Sequence, residues 1–301
     1  MTAEPRLTVV IVSTRGGALL EETFAAVADQ ADADHVEIVV AARRAAADQF
    51  SHRSPRGSVR VIRMEDHASI PELCAAGLQS ALGTIVAVTS DHFVPGPTWI
   101  AAILQAHAEH PLSGVIGGAI EHSATDGLID RAVYYCEYAQ FGVPVPAGPC
   151  RSGPGPNVSY ARSALAEIAT LLERPTWDVF WHEQMIRRGV VVERDPRILV
   201  RHRYSRTLSG FLRERYLFSR SLAGERLRDA PPARRIVRGL ASVMLPPLLL
   251  TRLLRRLGTA SGGRGPALMT VPLLALFTIP WALGEMVGSL RGAGEATRRI
   301  E

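Results

Sequence analysis

The run Gly83-Thr84-Ile85-Val86-Ala87-Val88-Thr89 ends in Ser90-Asp91-His92, with Phe93-Val94-Pro95 and Trp99 behind it. A β-branched run without polar alternation reads as a strand covered on both faces. An acid and an imidazole at its C-terminal end fall where open α/β sheets bind ligands. Together they suggest a metal-assisted site for a phosphorylated substrate. Other residues could join that chemistry. Ser13-Thr14-Arg15 closes the first apolar run. Asp178 and Glu183 are two carboxylates on one predicted helix, and His182 stands four residues after Asp178, on its face, where it could hydrogen-bond and tune it. The 301-residue chain has no lysine; all 34 basic residues are arginine, and the net charge is +5. Guanidinium binds phosphate bidentately, so such a surface suits phosphate groups.

The elements that must position these residues alternate. Leu7 to Val12, Val36 to Val40 and Val59 to Ile62 read as strands. Between and after them, Leu19 to Ala31 and Ile70 to Leu82 have helical spacing, with Pro71 in a first turn, where proline is tolerated. This alternation predicts a parallel, doubly wound sheet over about the first hundred residues. A helix from Trp99 to about His110, a strand over Gly114–Ala119 and a Pro/Gly-rich loop over 141–156 follow. Trp177 to Arg188 reads as a helix with Gly189 at its C-cap, and Val190–Val192 and Ile198–Val200 as two short strands. The apolar run from Leu7 reads as a strand and not as the core of a signal peptide. Cys74, Cys136 and Cys150 lack metal-site spacing and read as reduced thiols.

Composition shifts near Arg201. Residues 201–238 are dense in arginine, and two long apolar segments follow, Gly239–Thr251, split by Pro246-Pro247, and Gly265–Gly284. The second is about long enough to span a bilayer. Either spanning arrangement would leave arginines outside, against the positive-inside tendency. A re-entrant or interfacial hairpin on the cytoplasmic face, held by arginines at anionic lipid, is the preferred reading, and simple packing on the preceding domain is its rival.

Four local patterns in this order resemble the family 2 glycosyltransferases. The first is the strand running into Ser13-Thr14-Arg15, similar to the family's nucleotide-contacting turn. The second is Ala76-Gly77 through Gly83, the strand, then Ser90-Asp91-His92 and Pro95, similar to A-x-G, strand, D-x-D-x-x-P. The third is Pro154-Gly155-Pro156-Asn157 through Arg162, similar to G-x-N-x-x-x-R beside the acceptor site. The fourth is Trp177-Asp178, with Gly189 eleven residues after the acid and His202 later, similar to E-D, helix, glycine, V-x-H. The resemblance covers roughly residues 7–225. It implies a GT-A fold with a mixed sheet, a nucleotide-sugar donor and a divalent metal, Mn2+ or Mg2+.

Carried over residue by residue, it makes Asp178 the general base with Glu183 as rival. Ser13, Thr14, Arg15, Asp91 and Asn157 become substrate-binding, and Asp91, His92 and His202 metal ligands; Arg220, with Arg213 and Arg215 on a helix after the core, could close over the diphosphate or face anionic lipid. Two departures stand out. The second strand runs into Ala41-Ala42 where the family has a base-reading Asp, and Ser90 and His92 replace the outer acids of D-x-D. Imidazole at the last position suits Mn2+ or Zn2+ better than Mg2+; alternatively Asp91 takes the ligand role, or arginines neutralise the diphosphate without metal. The expectation is therefore a catalytic domain over residues 1–227 and a membrane-associated hairpin and tail over 228–301. It would be an inverting enzyme acting on a lipid-linked or polysaccharide acceptor at the cytoplasmic membrane face, with no nucleic-acid partner. The rival reading is a degenerate, non-catalytic scaffold, favoured by Ala41 and Ser90.

Overall fold

The computed structural model describes residues 5–31, 36–51, 59–122, 127–203, 206–257 and 267–300. The chain forms two compact units, one of residues 1–121 and 143–203, the other of 122–142 and 204–301. The division falls near residue 203, and it sets 122–142 with the C-terminal helices.

In chain order the first unit opens with β1 (Leu7–Ser13), α1 (Ala18–Ala28), β2 (Val36–Arg43), α2 (Arg44–Gln49), β3 (Val59–Met64) and α3 (Ile70–Ser80). Next come β4 (Ile85–Ser90), β5 (Phe93–Pro95), α4 (Trp99–Glu109) and β6 (Ser113–His122). After α5 (Leu128–Tyr138), which belongs to the second unit, follow β7 (Gly148–Pro149), β8 (Val158–Ala161), α6 (Arg162–Ala166), α7 (Ala169–Glu173), α8 (Asp178–Arg187) and β9 (Val191–His202). The sheet order is β3-β2-β1-β4-β8-β6-β9-β5, with β7 also on β9.

The sheet is mixed. β1 lies between β2 and β4 and runs parallel to both, so the order reverses there and opens a crevice at the C-terminal ends of β1 and β4. Every residue of β1 is buried, as expected of a strand covered on both faces. α3 starts in a capping box between Ser69 and Glu72. It lies so close to β1 that a Cβ on Gly77 would fall 2.3 Å from Val10 Cγ1.

Two sequence expectations change. The short strands at 190–192 and 198–200 are one strand, β9, which runs through Pro196. Pro196 falls between the part paired with β7 (Glu193, Arg194) and the part paired with β5 (Val200–His202), so its missing N–H interrupts neither pairing. β8 was not foreseen as a strand; it inserts antiparallel between β4 and β6.

The second unit holds α5, α9 (Leu208–Arg226), α10 (Pro232–Ala241), α11 (Leu245–Leu257) and α12 (Val271–Arg291). Pro246 and Pro247 do not split a helix but start α11, where proline costs no hydrogen bond. α9 and α12 pack closely. Gly284 and Gly288 admit the α9 backbone, since a Cβ on either would fall 2.3 Å from Tyr216 O or 2.4 Å from Arg220 O. The Arg215 guanidinium stacks 4.1 Å from the Trp281 ring centroid. α12 and the stretch Pro232–Leu257 are each long and apolar enough to cross a membrane, by length and composition only. Yet α12 buries Leu274, Phe277, Glu285 and Ser289 among others, which is how a packed helix behaves.

Candidate active site

At the crevice, Ser13 and Asp91 close the ends of β1 and β4. Ser13 Oγ donates to Asp91 Oδ2 at 2.6 Å, and the Gly16 N–H donates to Ser13 Oγ at 2.9 Å. His92 Nδ1 is 2.9 Å from Asp91 Oδ1. Burial alone would raise the Asp91 carboxyl. The hydrogen bond and charge of His92, the Ser13 hydroxyl and the Arg15 backbone N–H outweigh it, and the group sits below its ordinary value. Pairing of Phe93 with His202 brings the second histidine to this place, and the His92 and His202 ring centroids are 5.8 Å apart. Thr14 is partly buried and Arg15 exposed beside them.

The ligand set expected of Asp91, His92 and His202 needs correction. Among the described residues, no three His, Cys, Asp or Glu side chains form a group that could hold a metal ion. Asp91 itself is engaged, with Oδ2 turned to the Ser13 hydroxyl and Oδ1 to the His92 ring. An aspartate bonded to the far nitrogen of an imidazole is the usual support of a metal-binding histidine. Asp91 stands in that relation to His92, whose ring lies beside that of His202.

A second group surrounds Asp178, the first residue of α8. Asp178 is partly buried, and burial raises its carboxyl above the ordinary value, against the pull of His182 and of the Val179 and Asp178 backbone N–H groups. His182 does share its face, but its observed partner is Tyr160, whose Oη lies 3.0 Å from His182 Nε2. Tyr160, Cys74 and this histidine were not brought together by sequence reasoning. Gly155 packs on the carboxylate, since a Cβ there would fall 2.8 Å from Asp178 Oδ2. β8 runs antiparallel to β4 with Val158 opposite Val88. The turn that carries Gly155 into β8 therefore lies at the same sheet edge where β4 delivers Asp91. Glu183 is exposed, and five residues along a helix turn it roughly 140° away from Asp178.

Asn157 is not free to bind substrate, a second correction. It is fully buried. Its Nδ2 donates to Ala119 O at 2.8 Å and Ile198 O at 2.9 Å, and its Oδ1 accepts from Trp99 Nε1 at 2.8 Å. At the other end of β8, Arg162 donates to Ala81 O and Gly83 O, each at 2.7 Å. The G-x-N-x-x-x-R pattern here is thus a pair of staples that fix β8 in the sheet. Arg220 belongs to the second unit, on α9, and donates from Nε to Gly292 O at 3.4 Å.

The sequence profile described as Glycosyl transferase family 2 matches residues 8–194, more than half of the chain. The chain belongs to glycosyl transferase family 2. The match runs from β1 to the β7-paired part of β9 and so includes Ser13, Asp91, His92 and Asp178, while His202 lies beyond it. Among solved structures, this glycosyltransferase is similar to the mannosyltransferase PcManGT from Pyrobaculum calidifontis, in complex with GDP-Man and Mn2+. That likeness has 20% identity and TM-score 0.55, over 97% of this chain and 86% of that one. It is also similar to TarS 1-349 of S. aureus, at 11% identity and TM-score 0.50, over 94% and 81% of the two chains. At such identities the likeness speaks for the fold. No curated protein matches the chain. The glycosyltransferase uses a nucleotide-sugar donor, as its family does.

Proposed function

We propose that the protein is an inverting glycosyltransferase in which Asp178 is the general base and the Ser13–Asp91–His92–His202 edge receives the donor diphosphate. The observation that carries this reading is the common sheet edge of the two groups. Inversion requires a base on the face opposite the leaving group, and one base suffices. A carboxyl raised by burial is suited to accept the acceptor hydroxyl's proton. The leaving diphosphate gains charge, and the edge offers the Ser13–Arg15 turn to position it. His92 and His202 would hold a divalent cation, Mn2+ in preference to Mg2+ because imidazole is the softer donor. When bound, the cation supplies Lewis-acid stabilisation of the diphosphate. The test is donor-dependent nucleotide release across a panel of nucleotide-sugars, with Mn2+, with Mg2+ and with chelator. Asp178→Asn should bind nucleotide and fail to transfer; a transfer-competent Asp178→Asn sinks the assignment of the base.

The acceptor in this reading is lipid-linked or a polysaccharide, met at the cytoplasmic membrane face. Support comes from α10, whose amphipathicity is inverted. Its Arg235 donates to Ser289 O at 2.9 Å, and Arg238 lies 3.7 Å from Glu285, both on α12. Its apolar stripe, Ile236, Val237 and Leu240, continues outward into Val243 and Met244 and is 50–66% exposed. From Ala230 to Gly284 the chain has seven arginines and no acid. An exposed apolar face on a stretch whose only charges are arginines matches an anionic bilayer surface met in plane. The protein should co-sediment with phosphatidylglycerol vesicles, release from phosphatidylcholine ones, and leave membranes in alkaline carbonate. Resistance to carbonate would mean a spanning helix instead.

A further inference from the structure

Tyr160 and His182 are both inside the protein, 1% and 0% exposed. Burial, with Asp178 and Cys74 adding to it, holds the Tyr160 phenol well above its ordinary range, so the O–H keeps its proton. Burial pushes the His182 imidazole down, against the opposite pull of Asp178, which favours the neutral ring. Tyr160 Oη and His182 Nε2 are 3.0 Å apart, and either atom can donate. An Nε2–H donor would leave both the phenol O–H and the Nδ1 lone pair without a partner among the described residues, whereas a phenol donor leaves only Nδ1, so the arrangement favours Nε2 as acceptor and the ring proton on Nδ1.

That Nδ1 is buried and has no hydrogen-bond partner among the described residues. An unpaired buried N–H is costly, and a fold does not retain one without some compensation. His182 stands one turn after Asp178 on α8, and helical side chains lean over the turn N-terminal to their own Cα. The imidazole therefore leans toward the turn that carries the Asp178 carboxylate. The titratable groups around it are Asp178 on α8, Tyr160 on β8 and Cys74 on α3, whose thiol is pushed up to about 12 by burial and by Asp178 and carries no charge. Gly155 also lies against the carboxylate, since a Cβ there would fall 2.8 Å from Oδ2.

We propose that Tyr160 and His182 are positioning residues for Asp178: the Tyr160 hydroxyl fixes His182 as the Nδ1–H tautomer, and that N–H is held ready for the Asp178 carboxylate when it turns to an acceptor hydroxyl. This rests on Asp178 being the base. The proton taken from the acceptor goes to Asp178; His182 gives a hydrogen bond and transfers nothing. Its effect is to favour the ionised base against burial, which otherwise disfavours the charge.

The tautomer can be read without substrate, by two-bond nitrogen–proton correlation on full-length protein labelled with 15N-histidine, the His182 signals being assigned by their loss in His182→Asn. The expected result is a neutral Nδ1–H ring across neutral pH, shifting to a tautomer mixture in Tyr160→Phe. A neutral Nε2–H ring, or a charged one, overturns the proposal, and the wild-type spectrum decides even if a variant does not fold. The kinetic arm separates positioning from packing. Gln places its N–H where Nε2 stands and Asn where Nδ1 stands. His182→Gln and Tyr160→Phe should move the acid limb of the kcat/KM profile up by about one pH unit, as loss of one hydrogen bond to a carboxylate would. His182→Asn should restore the limb. A limb that stays in place in both defective variants also overturns the proposal. Retained transfer by Asp178→Asn would instead overturn the base assignment, a separate result.

Discussion

Gly155 lies against the carboxylate of Asp178, at a distance where any Cβ would fall 2.8 Å from Oδ2. The turn before β8 thereby forms one wall around the proposed base. Gly155→Ala forces the carboxylate to shift. Because a displacement of about 1 Å at a reacting group can cost roughly a hundredfold in rate, nucleotide release coupled to transfer should fall at least about tenfold. The thermal midpoint should change little, since the carboxylate is only partly buried and can give way. An unchanged rate would show that the Gly155 turn does not set the position of Asp178.

Ser13→Ala tests the other group. The Ser13 hydroxyl is fully buried and donates to a carboxylate at 2.6 Å. Hydrogen bonds to charged groups contribute about 1.5–3 kcal/mol, so the variant should lose about 2 kcal/mol in urea unfolding at neutral pH. The same change frees the Asp91 carboxylate from β1 and from its alignment behind His92. Nucleotide affinity should fall along with stability, and Mn2+ dependence should weaken; stability loss with unaltered affinity would confine Ser13 to the fold.

The parts of the site were more legible in the sequence than their pairing. β1 and β4 announce themselves because both faces are covered and the apolar run needs no period. Ser13 and Asp91 could each be found at the end of such a run, but 78 residues separate them, and nothing local encodes their bond. β8 was illegible for a different reason. Val-Ser-Tyr-Ala is too short and too mixed for periodicity, and it becomes a strand only because β4 and β6 flank it. The role of Asn157 was hidden likewise, since its partners at Ala119, Ile198 and Trp99 lie 38, 41 and 58 residues away. In α8 the i,i+4 relation did place His182 beside Asp178, yet it could not foresee the Tyr160 hydroxyl that holds the ring.

The corrected role of Asn157 has its own test. Asn157→Asp sets a carboxylate oxygen against two backbone carbonyls in a fully buried place. Breaking a buried polar cluster while adding an unpaired charge costs about 3–5 kcal/mol, and the folded yield should drop accordingly. The nucleotide affinity of the fraction that folds should equal that of the wild type. A folded Asn157→Asp with weakened nucleotide binding would return Asn157 to the substrate site.

His107 predicts how stability responds to acid. Its Nε2 is 2.9 Å from Ser159 Oγ, and that hydroxyl also lies 3.2 Å from Ile116 O, to which it donates. The imidazole therefore gives its N–H to Ser159 and is held neutral, pushed down to about 4 by burial. In the unfolded chain a histidine titrates near 6.5. As pH falls, the unfolded chain binds this proton first, so stability is level above about pH 6.5 and declines from there until about pH 4, where the folded protein binds it too. Between pH 7 and pH 5 the histidine alone should cost about 2 kcal/mol of unfolding free energy. His107→Gln retains an N–H for Ser159 but cannot titrate, so it should be less stable than wild type at pH 7 by the imperfect fit alone and lose about 2 kcal/mol less on going to pH 5. Urea unfolding of both proteins at the two pH values measures this, and equal losses would mean that His107 is protonated in the folded protein.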